Sequence, residues 1–97
     1  MDVSSLSRDV MAEVKQRGLF LLSPEPEYPG DPDFVCVVQD PSGFPQVGHV
    51  GASMGGGPPY VAFAPDPRNP MRTDEIAVGL TTWEAGIRAV LAAFDRS

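Results

Sequence analysis

Basic residues are missing from half of the chain, because residues 18–67 contain no Lys and no Arg. The same stretch carries six carboxylates, so its own charge equals the net charge of the whole chain, which is -6. These carboxylates belong to Glu25, Glu27, Asp31, Asp33, Asp40 and Asp66. Nucleic-acid binders need cations to neutralise phosphates, so direct binding of nucleic acid is not expected. A basic protein partner suits this charge distribution, and a mimic of nucleic acid is a third hypothesis.

Cysteine and long apolar runs are equally scarce. The one cysteine, Cys36, has no second thiol for an intramolecular disulfide, and it lies within the apolar run 34–38. No apolar run approaches the roughly 18 residues that span a bilayer, and the first residues lack the charge and hydropathy pattern of a signal peptide. We therefore expect a cytoplasmic protein without a membrane segment.

A helix is predicted near the N-terminus. Apolar residues recur at helical spacing from Val3 to Val14, which predicts a helix over about 5–17. Ser4 or Ser5 can serve as the N-cap, and Gly18 stands where a left-handed residue commonly ends a helix.

A second helix is predicted over about 82–95. Thr81 and Glu84 have the spacing of a capping box, in which each side chain accepts a hydrogen bond from the backbone amide of the other residue. An apolar stripe of helical period follows, formed by Trp83, Ile87, Val90, Leu91 and Phe94.

Short apolar segments between these helices predict strands at 19–22, 34–39, 44–50, 60–64 and about 75–80. The run Asp40-Pro41-Ser42-Gly43 favours a type I turn and thus a hairpin between the second and third segments, and Pro45 suggests that the returning strand lies at an edge. The predicted fold is α+β: a single domain over 1–97, with a small antiparallel sheet of three to five strands in the order α-β-β-β-β-α. Both amphipathic helices are expected on one face of the sheet.

Two loops are candidate interaction surfaces. Residues 24–33 hold four prolines and several carboxylates, which predicts an extended acidic loop, and residues 51–57 are rich in glycine. The sequence thus favours a non-enzymatic protein-binding module of the regulator or inhibitor type that contacts a basic partner through both loops. The candidate contact residues are Glu25, Glu27, Tyr28, Asp31, Asp33, Met54 and Tyr60. The aromatic and Met side chains among them have the alternative of folding back on the core.

An alternative hypothesis centres on His49, the only histidine. With Ser53, Gly55 and Gly56 it would form a site that binds or modifies a small molecule, with Asp40 as the nearest carboxylate in sequence. The glycines lack the lysine of a phosphate-binding loop. One His and one Cys fall short of a zinc site, and the acidic loop lacks the spacing of a calcium loop. No cofactor or metal is expected, and a homodimer remains open because a domain of this size has a small core.

Overall fold

The computed structural model describes residues 2–24, 32–53 and 55–96. A 3-10 turn at Val3–Ser5 precedes the first α-helix, α1 (Arg8–Gln16), and a second α-helix, α2 (Trp83–Arg96), ends the described chain. Between the helices lie five strands: β1 (Phe20–Leu22), β2 (Phe34–Val38), β3 (Gln46–Gly51), β4 (Tyr60–Asp66) and β5 (Asn69–Leu80). None of the helices in these described residues is long and apolar enough to cross a membrane.

The five strands form one antiparallel sheet in the order β1-β2-β3-β4-β5. The predicted α+β class is confirmed, and the sheet reaches the upper end of the expected range, with five strands in the order α-β-β-β-β-β-α. One apolar cluster joins both helices to the same face of the sheet. Its fully buried members include Val10, Val35, Val37, Val50, Ala62, Ile87 and Val90.

The first helix begins later than predicted. Its N-cap is Ser7, whose hydroxyl oxygen accepts a hydrogen bond from the amide of Val10 at 3.3 Å, so the expected cap at Ser4 or Ser5 is wrong. Gly18 ends the helix as predicted, with a φ of 70°. The amides of Gly18 and Leu19 donate to the carbonyls of Lys15 and Val14, the pattern of a Schellman motif.

The hairpin between β2 and β3 is confirmed. The amide of Gly43 donates to the carbonyl of Asp40 at 2.9 Å, which closes the predicted turn. The inference that Pro45 places the returning strand at an edge is wrong, because β3 lies between β2 and β4. Pro45 precedes the first residue of β3, so its missing amide removes no hydrogen bond from the strand, and its carbonyl accepts from Gln39.

The last strand is twice as long as expected and begins at Asn69. In this strand Ile76 and Val78 alternate with Glu75 and Ala77, yet the two larger side chains are 36% and 62% exposed. Irregular register opposite Ala62 shifts the pairing, so that Ala77 stands opposite Ala62 and packs against the core in their place.

The apolar stripe of α2 is confirmed, but its cap is Thr82 rather than Thr81. The hydroxyl of Thr82 accepts from the amide of Ala85 at 3.1 Å, so the capping box with Glu84 does not form. Gly86 lets the helix approach the sheet closely, because a Cβ placed there would lie 2.5 Å from Cγ1 of Val50. The helix therefore rests on β3 with little space between them.

Candidate functional site

Most of the predicted contact residues of the acidic loop lie outside the described residues. This applies to Glu25, Glu27, Tyr28, Asp31 and, from the glycine-rich loop, Met54. Asp33 is described: it is half-buried just before β2, and its carbonyl accepts a hydrogen bond from the amide of Ala52 at 3.1 Å. The segment that follows β3 is thus tied to the segment that precedes β2.

Tyr60, predicted as a partner contact, lies in the core. It opens β4 with only 7% of its surface exposed, and its ring packs against Trp83 at the start of α2 with a centroid distance of 4.5 Å. The pair closes one end of the space between sheet and helix. The ring of Tyr60 therefore belongs to the core and not to the exposed surface of the sheet.

Among residues 2–24, 32–53 and 55–96, no helix lies on the face of the sheet opposite α1 and α2, and we call this face the outer face. Residues opposite each other in antiparallel strands share a face, so the register defines its members. Cys36 stands opposite His49, and His49 stands opposite Phe63. The pairings Phe20 with Val38, Leu22 with Cys36 and Phe63 with Glu75 extend the outer face to both sides. It is largely apolar and aromatic, with Phe20 42% exposed.

His49 lies near the middle of this face and stacks on Phe63. The two ring centroids are 4.6 Å apart and the planes are inclined by 14°. The Nδ1 atom of His49 is buried and has no hydrogen-bond partner within the described parts of the chain. Burial lowers the pKa of His49 below its ordinary value of 6.5, so the ring is neutral at physiological pH. A neutral imidazole whose Nδ1 carries no hydrogen can accept one hydrogen bond at that atom from a bound molecule.

A concavity of about 410 Å³ opens beside the stacked rings. Its described lining consists of Pro32, Asp33, Phe34, Gln46, His49, Gly51, Ala52 and Phe63. One carboxylate, one imidazole and one amide thus border an otherwise apolar surface. Such a site suits an apolar or aromatic group with a polar or cationic end.

The other residues of the alternative site are held within their own loop. Ser53 donates from both its amide and its hydroxyl to the carbonyl of Gly57, at 3.0 and 2.7 Å, and the amide of Gly56 donates to the carbonyl of Ser53. Ser53, Gly55 and Gly56 are not among the described residues that line the concavity beside His49. The loop closes on itself instead of presenting its hydroxyl to the imidazole.

Asp40, the carboxylate nearest to His49 in sequence, serves the turn after β2. Its Oδ1 accepts from the amide of Ser42 at 2.8 Å, and this bonding lowers the pKa of the carboxyl. Among the described residues, no hydrogen bond joins Asp40 or Ser53 to His49. A nucleophile, base and orienting acid are therefore not connected in this structure.

Cys36 is a free, buried thiol on the outer face, opposite His49. Burial raises the pKa of its thiol, and a hydrogen bond with Gln46 opposes that effect. The thiol is protonated at neutral pH and behaves as a small apolar group. Within the described parts of the chain, no group of three or more His, Cys, Asp or Glu side chains is placed to hold a metal ion.

A second concavity, of about 500 Å³, lies on the helix-covered side between the end of α2 and the hairpin of β4 and β5. Apolar side chains such as Val47, Ile76 and Phe94 line it, with Asp74 and Arg96 among its charged residues. Arg96 is exposed and Ile76 is open to solvent, so this concavity is a surface depression.

Sequence reasoning did not single out Phe34 or Phe63 as site residues. The alternation in β4 puts Phe63 on the face opposite to Tyr60, Ala62 and Ala64, but it does not say which of the two faces meets the core. Its neighbour His49 was chosen only as the sole histidine. The stacking of the two rings depends on the register between β3 and β4, which no local sequence pattern predicts.

No protein-family model, no curated protein and no solved structure matches this chain. The choice among functions therefore depends on the chemistry of the outer face.

Proposed function

We propose that the chain is a non-enzymatic protein-binding module that receives a basic partner protein on the outer face of its sheet. The observation that carries the proposal is the composition of that face: aromatic and aliphatic side chains from four neighbouring strands, bordered by carboxylates, with no cation among the described residues that the register places there. Exposed aromatic groups with a polar rim are typical of protein interfaces. The sequence places the contact on the two loops at 24–33 and 51–57, and the proposal adds the outer face of the sheet.

Charge supports a basic partner. Asp33 lines the concavity and Glu75 stands opposite Phe63 on the same face. No Lys or Arg occurs in residues 18–67, which supply strands β1 to β4. Arg72 of β5 is engaged with Asp74, and Asp74 stands opposite Ala64 on the helix-covered side. A lysine or arginine of the partner would thus meet carboxylates on a face to which residues 18–67 contribute no cation.

The surroundings of His49 support a binding role over a catalytic one. Its ring packs flat against Phe63, and no described Ser hydroxyl or Cys thiol is hydrogen-bonded to its buried nitrogen. A general base must reach the proton that it abstracts. In this arrangement the imidazole serves as a flat element of an apolar surface.

The test uses two exposed apolar residues of matched accessibility on opposite sides of the molecule. Phe20 on the outer face is 42% exposed, and Met11 on α1 is 39% exposed. After affinity capture and purification of the bound protein, calorimetry should show weaker binding for Phe20→Ser, by about tenfold or more, and nearly unchanged binding for Met11→Ser. The association rate of the native chain should fall steeply as salt is raised. Equal effects of the two substitutions would contradict the proposal.

A small-ligand site beside His49 is the second candidate, and the unpartnered Nδ1 favours it. A ligand with an aromatic or apolar body and a hydrogen-bond donor would fill the concavity and satisfy that atom. His49→Phe separates the two candidates, because phenylalanine keeps the stacking on Phe63 and removes the acceptor. The protein-binding proposal expects partner affinity to be retained, whereas the small-ligand hypothesis expects ligand-induced amide shifts around β3 to disappear.

A cytoplasmic location is part of the proposal. It is supported by the lone thiol of Cys36, which is buried and unpaired as in proteins of reducing compartments.

A further inference from the structure

One long edge of the sheet has no neighbouring strand. β5 lies at the end of the sheet, and within the described residues nothing pairs with its outer side. The opposite edge, β1, has only three residues, whereas β5 has twelve. Free edges of this length invite pairing with another strand, since their amides and carbonyls on that side lack partners in the sheet.

Features that discourage pairing with a second strand occur towards both ends of β5 and are absent from its middle. Register irregularities interrupt the pairing on both sides of this middle stretch, beyond Glu75 and again between the pairs of Thr73 and Asn69, and Gly79 has a φ of 67°. Pro70, near the other end, has no amide hydrogen to donate. Between these ends Thr73, Asp74 and Glu75 pair with β4 in continuous register. Bulges and prolines discourage edge pairing, so the stretch around Thr73 is where a second strand fits best.

The side chains of this stretch are self-complementary. Two antiparallel copies of one strand in a continuous sheet are related by a two-fold axis perpendicular to the sheet, so opposed residues lie equally far from the axis. With the axis at Thr73, Arg72 of each copy stands opposite Asp74 of the other. Both side chains lie on the same face, where Arg72 Nε already bonds Asp74 Oδ1 of its own chain at 3.2 Å.

The alternative registers place like charges together. An axis at Arg72, Asp74 or Glu75 would set that residue opposite its own copy. An axis at Thr73 instead brings two threonines together and forms two ion pairs, and cross-strand threonines interact favourably. The groups are accessible for this exchange, because the side chains of Arg72 and Asp74 are 70% and 43% exposed.

We propose that two copies of the chain associate through their β5 edges, antiparallel and centred on Thr73, with Arg72 of each copy bound to Asp74 of the other. The two sheets become one continuous sheet of ten strands, twice the five of each copy. The pairing uses the β5 edge and not the outer face, so this association is independent of the partner surface proposed above.

Charge reversal tests the pairing. Arg72→Asp and Asp74→Arg each place like charges opposite each other, and each should weaken the dimer by about tenfold or more in sedimentation equilibrium. The double substitution restores opposite charges and should restore association. A mixture of the two single variants should form the mixed dimer, because one then supplies two carboxylates and the other two guanidinium groups. Circular dichroism checks that each variant is folded.

A crosslink tests the register. In a dimer centred on Thr73, Thr73→Cys places two thiols at a Cα separation of roughly 4.5 to 5.5 Å, which a disulfide bridges. The matched control Met71→Cys places its thiols four residues apart along the strand, roughly 13 Å, and should not crosslink. Cys36 is buried and should stay reduced in both variants.

The proposal is overturned if the native chain stays monomeric into the high micromolar range. It is equally overturned if a dimer forms but responds alike to the single and double reversals, or if the two cysteine variants crosslink equally well.

Discussion

Gly48 of β3 lies directly beneath Val90 of α2: a Cβ placed on Gly48 would stand 2.6 Å from Cγ1 of Val90 and 2.5 Å from the carbonyl oxygen of Phe63. The first neighbour is a fully buried core side chain and the second is backbone of the adjacent strand. Neither can move away cheaply, so the close approach of helix and sheet depends on the absence of a side chain at this position.

Gly48→Ala should therefore destabilise the fold by about 1 to 3 kcal/mol. The matched control is Gly51→Ala in the same strand, where an added Cβ meets no atom within 4 Å. That variant should be neutral or more stable by up to about 1 kcal/mol, since alanine restricts the unfolded chain. Urea unfolding measures both, and similar midpoints for the two variants would contradict the described packing of α2.

Ile87→Ala should cost about 2 to 5 kcal/mol, because Ile87 is fully buried in the core cluster and its removal leaves a cavity. Arg88 is the neighbouring control. Its Nε donates to Glu13 Oε2 at 3.0 Å, but both side chains are largely exposed, so Arg88→Ala should cost at most about 1 kcal/mol. A comparable loss for both in denaturant unfolding would mean that α2 is not docked through its apolar stripe.

The contact between the two helix ends should make stability sensitive to acid. Arg17 donates to both carboxylate oxygens of Asp95, at 2.9 and 2.6 Å, and this bonding holds the pKa of Asp95 below its ordinary value of 3.8. The unfolded chain then binds more protons than the folded chain below that value, so this contribution to stability is present above it and is lost as the pH falls.

Asp95→Asn should flatten the decline of stability below about pH 4. In an Arg17→Gln background the same substitution should have no further effect on that slope. Chemical unfolding of the four proteins at neutral and acidic pH provides the measurement, and an unchanged acid slope in Asp95→Asn would show that the ion pair does not contribute.

His49 should add a second pH dependence at higher pH. Burial lowers the pKa of its imidazole from 6.5, so the unfolded chain takes up a proton before the folded chain does, and stability falls as the pH decreases below about 6.5. His49→Phe preserves the ring on Phe63 and removes this titration. The difference in unfolding free energy between native chain and variant should change between about pH 7 and about pH 5. A constant difference over that interval would mean that His49 titrates normally.

Local patterns predicted the elements whose causes are local. Gly18 was identified as a helix end because a left-handed φ there favours glycine, and the turn at 40–43 follows from an Asp, Pro and Gly at fixed positions. The helix N-caps are Ser7 and Thr82 and not the predicted neighbours, because nearby serines and threonines have nearly equal capping ability. Which hydroxyl reaches the helix amides depends on where packing places the first turn.

The last strand shows where alternation fails. The sequence predicts only a strand over about 75–80, and β5 pairs with β4 through irregularities on both sides of Ala62 that bring Ala77 to the core. A single extra residue in one strand moves every following side chain to the opposite face of the sheet. Nothing in the sequence of β5 alone marks the position of such a bulge.

The sequence by itself determined the two amphipathic helices, the acidic and cation-free middle of the chain, and an alternating strand at 60–64. These properties depend on residues close together in the chain. Only the tertiary structure decided that His49 stacks on Phe63, that Tyr60 is buried against Trp83, and that Arg17 meets Asp95 across 78 positions. Such contacts arise from strand register and helix docking, which are settled by the packing of the whole core.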